Sequence, residues 1–124
     1  METDLKITVE QVQAGVPVTI FRLRGWLDAQ SEDLLLQAAR QSYEQGARFL
    51  LLDLKGVDTL TSAGMRSIQK IYKMYTPEQE HYKVMHLKVC ESPPQIYHVL
   101  GITGFLHNIP NYESAQAALD SFKA

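Results

Sequence analysis

Phe49–Tyr75, FLLLDLKGVDTLTSAGMRSIQKIYKMY, carries two different hydrophobic periods on either side of a turn rich in hydroxyls. Phe49, Leu50, Leu51 and Leu52 form an apolar run that Asp53 interrupts and Leu54 closes before Lys55-Gly56. The run is too short for a free-standing helix. Being apolar on both sides of the pleat, it reads as a strand covered on both faces. Lys55 to Leu60 read as a connection. Beyond it, Met65, Ile68, Tyr72 and Tyr75 recur at helical steps, with Arg66, Gln69, Lys70 and Lys73 between them, which predicts an amphipathic helix. Thr61-Ser62-Ala63-Gly64 places two hydroxyls where that helix begins.

Three roles compete for those hydroxyls. The plainest is capping, in which a Ser or Thr side chain accepts a backbone N–H that would otherwise lack a partner. A second is phosphoacceptor. A phosphate there faces unpaired N–H groups at the positive end of the helix dipole, so the fold tolerates it while the surface gains about two negative charges. The third is a nucleophile on a strand-to-helix turn. That elbow needs G-x-S-x-G, and position 60 is Leu60, so the glycine permitting the strained turn is missing.

At 124 residues the chain reads as one domain, 1–124, long enough to bury a core without staples. Its net charge of -2 and the absence of a Lys/Arg cluster argue against nucleic acid as a direct partner. The single cysteine, Cys90, has no internal partner and fits a reducing compartment, where it reads as a small residue at a strand end. No apolar segment approaches bilayer-spanning length and the start METDLK is no signal peptide, so the expectation is a cytoplasmic protein without a membrane contact.

Along the chain, Leu5, Ile7 and Val9 alternate with Lys6, Thr8 and Glu10, a half-buried strand turned by Gln13-Ala14-Gly15. Val16 to Leu23 is a second strand, ended by Gly25-Trp26-Leu27-Asp28, and the pair makes an antiparallel hairpin. Asp28 or Ser31 caps a helix with Glu32 and Asp33 in its first turn, Leu34, Leu35, Ala38 and Ala39 as its buried face, and Gly46 as its stop. Pro77 ends the next helix, a loop with Glu78, Glu80 and His81 follows, and Val84 to Val89 is a strand. Ser92-Pro93-Pro94 starts a short helix buried through Ile96, Val99 and Leu100 and terminated by Gly101. Phe105 to Ile109 is a last strand, and from Asn111 or Ser114 a helix runs through Ala115, Ala118, Leu119 and Phe122 to the end. The order ββαβαβαβα implies an α/β domain with a mixed sheet, an N-terminal antiparallel hairpin and helices packed on it. Partners of such sheets meet the C-terminal ends of strands, where the Thr61-Ser62 turn lies.

The remaining candidates carry little chemistry. His81, His86, His98 and His107 are scattered singly, without metal-motif spacing, and read as surface or loop residues, so no metal is expected. Gly101-Ile102-Thr103-Gly104 is too sparse for a phosphate cradle. Trp26 reads as a core anchor, with a place on a docking surface as the alternative.

Four segments occur in a telling order: Gly25-Trp26-Leu27-Asp28, Leu51-Leu52-Asp53-Leu54-Lys55-Gly56-Val57, Leu60-Thr61-Ser62-Ala63-Gly64-Met65-Arg66 and Gly101-Ile102-Thr103-Gly104-Phe105. Together they resemble the STAS family, the domain of bacterial anti-sigma factor antagonists, over nearly the whole chain. In the family's best-known form the signature is Asp-Ser-Ser-Gly, and a partner kinase phosphorylates the serine before the glycine. Here that position is Ala63 and the aspartate position is Thr61. The chain is nearer to relatives reading Ser-Ser-Ala-Gly-Leu-Arg, which moves the implied acceptor to Ser62, with Thr61 behind it.

The resemblance implies a non-enzymatic switch without a cofactor of its own. Unphosphorylated, it binds an anti-sigma factor, usually a serine kinase to which the ATP and magnesium belong, and so frees a sigma factor. Phosphorylation releases it, and a serine phosphatase restores it. The implied docking surface is Thr61, Ser62, Gly64, Met65 and Arg66 with the loop around Asp28. Gly64 would admit a partner backbone, and Arg66 reads as a solvated residue rather than a phosphate clamp. Weak self-association completes the partner set. The alternative is a STAS scaffold subunit of a larger assembly, a stress-sensing complex or a transporter, in which Ser62 only caps.

Overall fold

A computed structural model of the protein describes residues 4–76 and 85–122. Pro77, Glu78, Glu80, His81 and Val84 lie outside the described residues, as do the last two positions of the chain. The chain forms β1 (Lys6–Gln13), β2 (Pro17–Leu27), α1 (Glu32–Glu44), β3 (Leu50–Leu60), α2 (Ser62–Tyr75), β4 (Leu87–Cys90), α3 (Pro94–Ile102), a 3-10 turn (Phe105–His107), β5 (Asn111–Tyr112) and α4 (Ala115–Phe122). The strands lie side by side in chain order, β1 antiparallel to β2 and each later pair parallel. This is the expected ββαβαβαβα order, with its mixed sheet and opening hairpin.

β3 runs through the middle, and its pleat divides the core. Leu50, Leu52 and Leu54 face a cluster built with Leu35 and Ala39 of α1, Met65, Ile68 and Ile71 of α2, and Ile96 and Leu100 of α3. Leu51 faces the other way, against Val18, Ile20, Cys90 and the Ala118 and Phe122 of α4. All four leucines are fully buried, each contributing on the order of 1.5–3 kcal/mol. Lys88 is buried on the α4 side. Its ammonium donates to Ser121 Oγ at 2.7 Å and to the Ser121 carbonyl at 3.1 Å, and sits 4.3 Å from the Phe122 ring. Burial lowers its pKa, and the lysine ties α4 to the sheet.

Several elements differ from the sequence reading. β3 does not stop at Lys55-Gly56 but continues to Leu60 beside an equally long β2, with Gly25 opposite Val57 and Leu27 opposite Leu60. Cross-strand pairing overrides the local turn signal. The two strands slip register at Arg22/Arg24 and again at Gly25/Trp26, where Gly25 has φ +110, and such irregularities re-aim the side chains that follow. Phe105 to Ile109 is a 3-10 turn and bend rather than a strand. Phe105 and Ile109 are buried, so their apolar character marks core contact, while the short β5 lies two residues further on. Asn111 is therefore in a strand, and Ser114 starts the last helix by accepting the Ala117 N–H at 3.0 Å.

Smaller corrections have local causes. Ser92 does not cap α3, because its hydroxyl donates to Asn111 Oδ1 at 2.7 Å and Pro93 takes the cap position. Gly101 lies inside that helix, which ends at Ile102. Leu34 is 49% exposed, since the face of α1 that packs is set by Leu35 and Ala39. His86 is buried rather than on the surface, stacked on Phe49 with ring centroids 4.4 Å apart and with Nδ1 2.8 Å from the Arg48 carbonyl.

The far end of α2 is fastened to α1 by one buried hydrogen bond, from Tyr75 Oη to the Ala39 carbonyl at 2.7 Å. Burial pushes the phenol pKa up to about 12, which keeps it a donor. Tyr75→Phe is expected to cost about 1 kcal/mol, read as a lower urea midpoint with an unchanged m-value.

Candidate functional site

The hydroxyl turn is built on the end of β2. The Leu27 carbonyl accepts the Thr61 N–H at 2.9 Å and the Thr61 hydroxyl at 3.3 Å. Thr61 in turn caps α2: its Oγ1 accepts the Gly64 N–H at 3.3 Å and its carbonyl accepts the Met65 N–H at 2.9 Å. Gly64 lies against the same Leu27 carbonyl so closely that a Cβ there would come within 2.2 Å of the oxygen. The first turn of α2 is thereby pressed onto the sheet and its outward side set.

That outward side holds Ser62, the first helical residue. It is exposed and makes no side-chain hydrogen bond to any described residue. Beside it opens a groove of about 550 Å³ lined by Trp26, Asp28, Ala29, Gln30, Thr61, Ser62 and Ala63. One wall is the half-buried Trp26, whose indole N–H donates to Asp58 Oδ2 at 3.1 Å. The other wall is a loop closed on itself. Asp28 Oδ1 accepts the Ser31 N–H at 3.1 Å, and Ser31 Oγ accepts the Asp28 N–H at 3.0 Å and donates to the Trp26 carbonyl at 2.9 Å. Ser31 thus ties the loop together and leaves α1 without a side-chain cap.

One helical turn further along α2, Arg66 Nε lies 3.4 Å from Glu32 Oε2, and Lys70 Nζ lies 3.1 Å from the same oxygen. The Lys70 hydrogen bond first, and Arg66 after it, hold the Glu32 carboxyl below its ordinary pKa against the opposing effect of burial. Arg66 is therefore an ion-pair partner as well as a solvated residue.

Among the described residues the one group near enough to share a metal ion is Asp53, Cys90 and Glu91, their ligand atoms within 4.8 Å of one another. Burial first, then the Asp53 and Glu91 charges, push the Cys90 thiol up to about 12, so it stands as a protonated thiol. Asp53 Oδ1 is already engaged by the Lys55 N–H at 2.9 Å.

Of the residues singled out in the sequence, Asp28, Thr61 and Ser62 line one groove, while Arg66, one turn further along α2, is paired with Glu32 and is not part of the lining. Gly64 and Met65 do not join them. Gly64 is buried under Leu27, so the backbone it admits is that of β2 and not a partner's, and Met65 is in the core at 8% exposure. Trp26 is a groove wall rather than a core anchor. Its neighbours Gly25 and Leu27 are buried, and strand alternation turns the indole to the opposite face. Ala29 and Gln30 carried no sequence signal of their own.

The family model of the STAS domain matches residues 8–118. The chain belongs to the STAS domain family. A curated relative, BtrV of Bordetella bronchiseptica, carries the name of an anti-sigma factor antagonist and is 28% identical over 119 residues, 96% of each chain. The crystal structure of an anti-sigma factor antagonist from Mycobacterium paratuberculosis superposes with a TM-score of 0.82 at 21% identity, covering 98% of this chain and 96% of the other. The anti-sigma factor antagonist SpoIIAA in its unphosphorylated form gives 0.71 at 16% identity, covering 93% and 94%. The phosphorylated form of the Bacillus SpoIIAA gives 0.65 at 15%, covering 93% and 97%. Among the described residues no helix of this STAS domain is long and apolar enough to cross a membrane.

Because a methyl at position 64 would enter the Leu27 carbonyl, Gly64→Ala is expected to destabilise the domain by about 1–3 kcal/mol or more, read by thermal or urea unfolding. Thr61→Ala, which removes only the cap, is expected to cost about 1 kcal/mol.

Proposed function

We propose that this STAS domain is an anti-sigma factor antagonist that works by partner switching, with Ser62 as its phosphoacceptor. The observation that carries the reading is the division of labour between adjacent hydroxyls. Thr61 Oγ1 is committed to the Leu27 carbonyl and the Gly64 N–H, while Ser62 is exposed and uncommitted. The anti-sigma factor antagonist name of the relative and the two phosphorylation states of SpoIIAA support it.

In this reading the unphosphorylated protein docks an anti-sigma factor with serine-kinase activity over the groove between Trp26, Asp28 and Ser62. The kinase then transfers the γ-phosphoryl group of its ATP. Ser62 Oγ forms a bond to the γ-phosphorus, the bond to the β–γ bridging oxygen breaks, ADP leaves, and the serine proton passes to a base of the kinase. The product places about two negative charges where a neutral hydroxyl faced the partner. Repulsion and the cost of desolvating the dianion release the antagonist. The helix N-terminus accommodates the phosphate, so the fold survives the cycle. Hydrolysis by a serine phosphatase restores the hydroxyl. The domain performs no catalysis itself, and its place of action is the cytoplasm.

Incubation with the cognate kinase and ATP, followed by peptide mass spectrometry, is expected to place phosphate on Ser62 and none on Thr61. Ser62→Ala should abolish labelling while keeping affinity for the kinase, and Ser62→Asp should weaken binding about tenfold or more, or ~1.4 kcal/mol. Phosphate elsewhere with Ser62 untouched overturns the site. A Ser62→Asp protein that binds as tightly as the parent overturns the switch and favours a scaffold role.

A further inference from the structure

Ser62, Arg66 and Lys70 are all exposed and follow one another at four-residue steps, so they line up on one side of α2. Side chains of a helix lean toward its N-terminus, which puts the turn that bears Ser62 within reach of a side chain at position 66. At present the Arg66 guanidinium is occupied by an acid of another helix, Glu32 in the first turn of α1. The two contacts to Glu32 are unequal. Lys70 at 3.1 Å is nearer than Arg66 at 3.4 Å, and a well-formed charged hydrogen bond is about 2.7–2.9 Å. The Glu32 side chain is 15% exposed and the Arg66 side chain 55%, so the acid is the more enclosed member of the pair and the arginine lies largely in solvent.

We propose that Arg66 exchanges partners on modification: once Ser62 carries a phosphate, the guanidinium leaves Glu32 and pairs with the phosphate oxygens, while Lys70 keeps Glu32. The exchange rests on Ser62 being the acceptor. The direction follows from charge and shape. A phosphate carries about twice the charge of a carboxylate and offers three acceptor oxygens to a planar fork of donors, a match that lysine does not reproduce. Losing one of two cations leaves Glu32 paired, so no charge is abandoned. Phosphorylation then does two things at once. It charges the rim of the groove, and it unfastens Arg66 from α1, the helix that follows the Asp28 loop on the opposite wall.

The test uses the full chain with phosphoserine installed at position 62 by synthesis, so it does not depend on any kinase accepting the protein. The probe is the phosphorus-31 shift of that residue followed against pH. The charged groups on the elements beside it are Arg66 and Lys70 on α2, Glu32 and Asp33 in the first turn of α1, Asp28 on the loop and Asp58 at the Trp26 wall. Asp28 and Lys70 are kept in every variant. The phosphoserine midpoint is expected below its ordinary value of about 6 and higher by about half a unit or more in Arg66→Gln, with Arg66→Lys restoring only part of the shift. Glu32→Gln removes the competitor and should lower the midpoint. In the Arg66→Gln background that second shift should fall to less than half, because the competition no longer exists. An unmoved midpoint in Arg66→Gln, full restoration by lysine, or strictly additive shifts in the double variant overturns the exchange. Failure of a kinase to label Ser62 would instead count against the functional reading and leave this titration as measured.

Discussion

The carbonyl oxygen of Leu27 is the point at which strand and helix are joined. It accepts both donors of Thr61 and is approached by Gly64 more closely than any side chain would allow. A helix that starts so tightly against a strand end has little freedom in how it faces solvent, because sliding or rotating it would break two hydrogen bonds or drive Cα64 into the oxygen. With Thr61 turned inward and Gly64 lying beneath, the two residues between them stay on the outer side of the turn, Ser62 exposed and Ala63 half-buried.

The same junction explains why adjacent hydroxyls behave differently. Thr61 has an extended backbone and sits outside the helix, so its side chain turns back to satisfy the first-turn N–H groups. Ser62 is already helical, and its hydroxyl makes no hydrogen bond to any described residue. Chemistry that distinguishes the two needs no special recognition of serine over threonine. It needs only that one oxygen be engaged and the other not.

The central strand and second long helix, the hairpin and the order of elements were legible in the sequence, because they rest on hydrophobic period and local punctuation. Leu50 to Leu54 alternate between two buried faces, and such a run has few other solutions. The ends of elements were less legible. β3 continues to Leu60 because β2 lies alongside to pair with it, and nothing within Lys55-Gly56-Val57-Asp58 announces that neighbour. Phe105 and Ile109 are apolar because they fill the core, a demand that a bend meets as well as a strand does.

For the site, residue identity set the chemistry on offer, two hydroxyls and a glycine at a helix start with an arginine one turn on, and these residue types in this order also carry the family likeness. Which way each one faces was set by packing. Gly64 serves the domain's own strand, Met65 the core, and Trp26 a groove wall, because each orientation depends on a contact between positions far apart in the chain. The pairing of Arg66 with Glu32, across 34 residues and two helices, is of the same kind. Local periodicity specifies the face of a helix, and only packing specifies what that face meets.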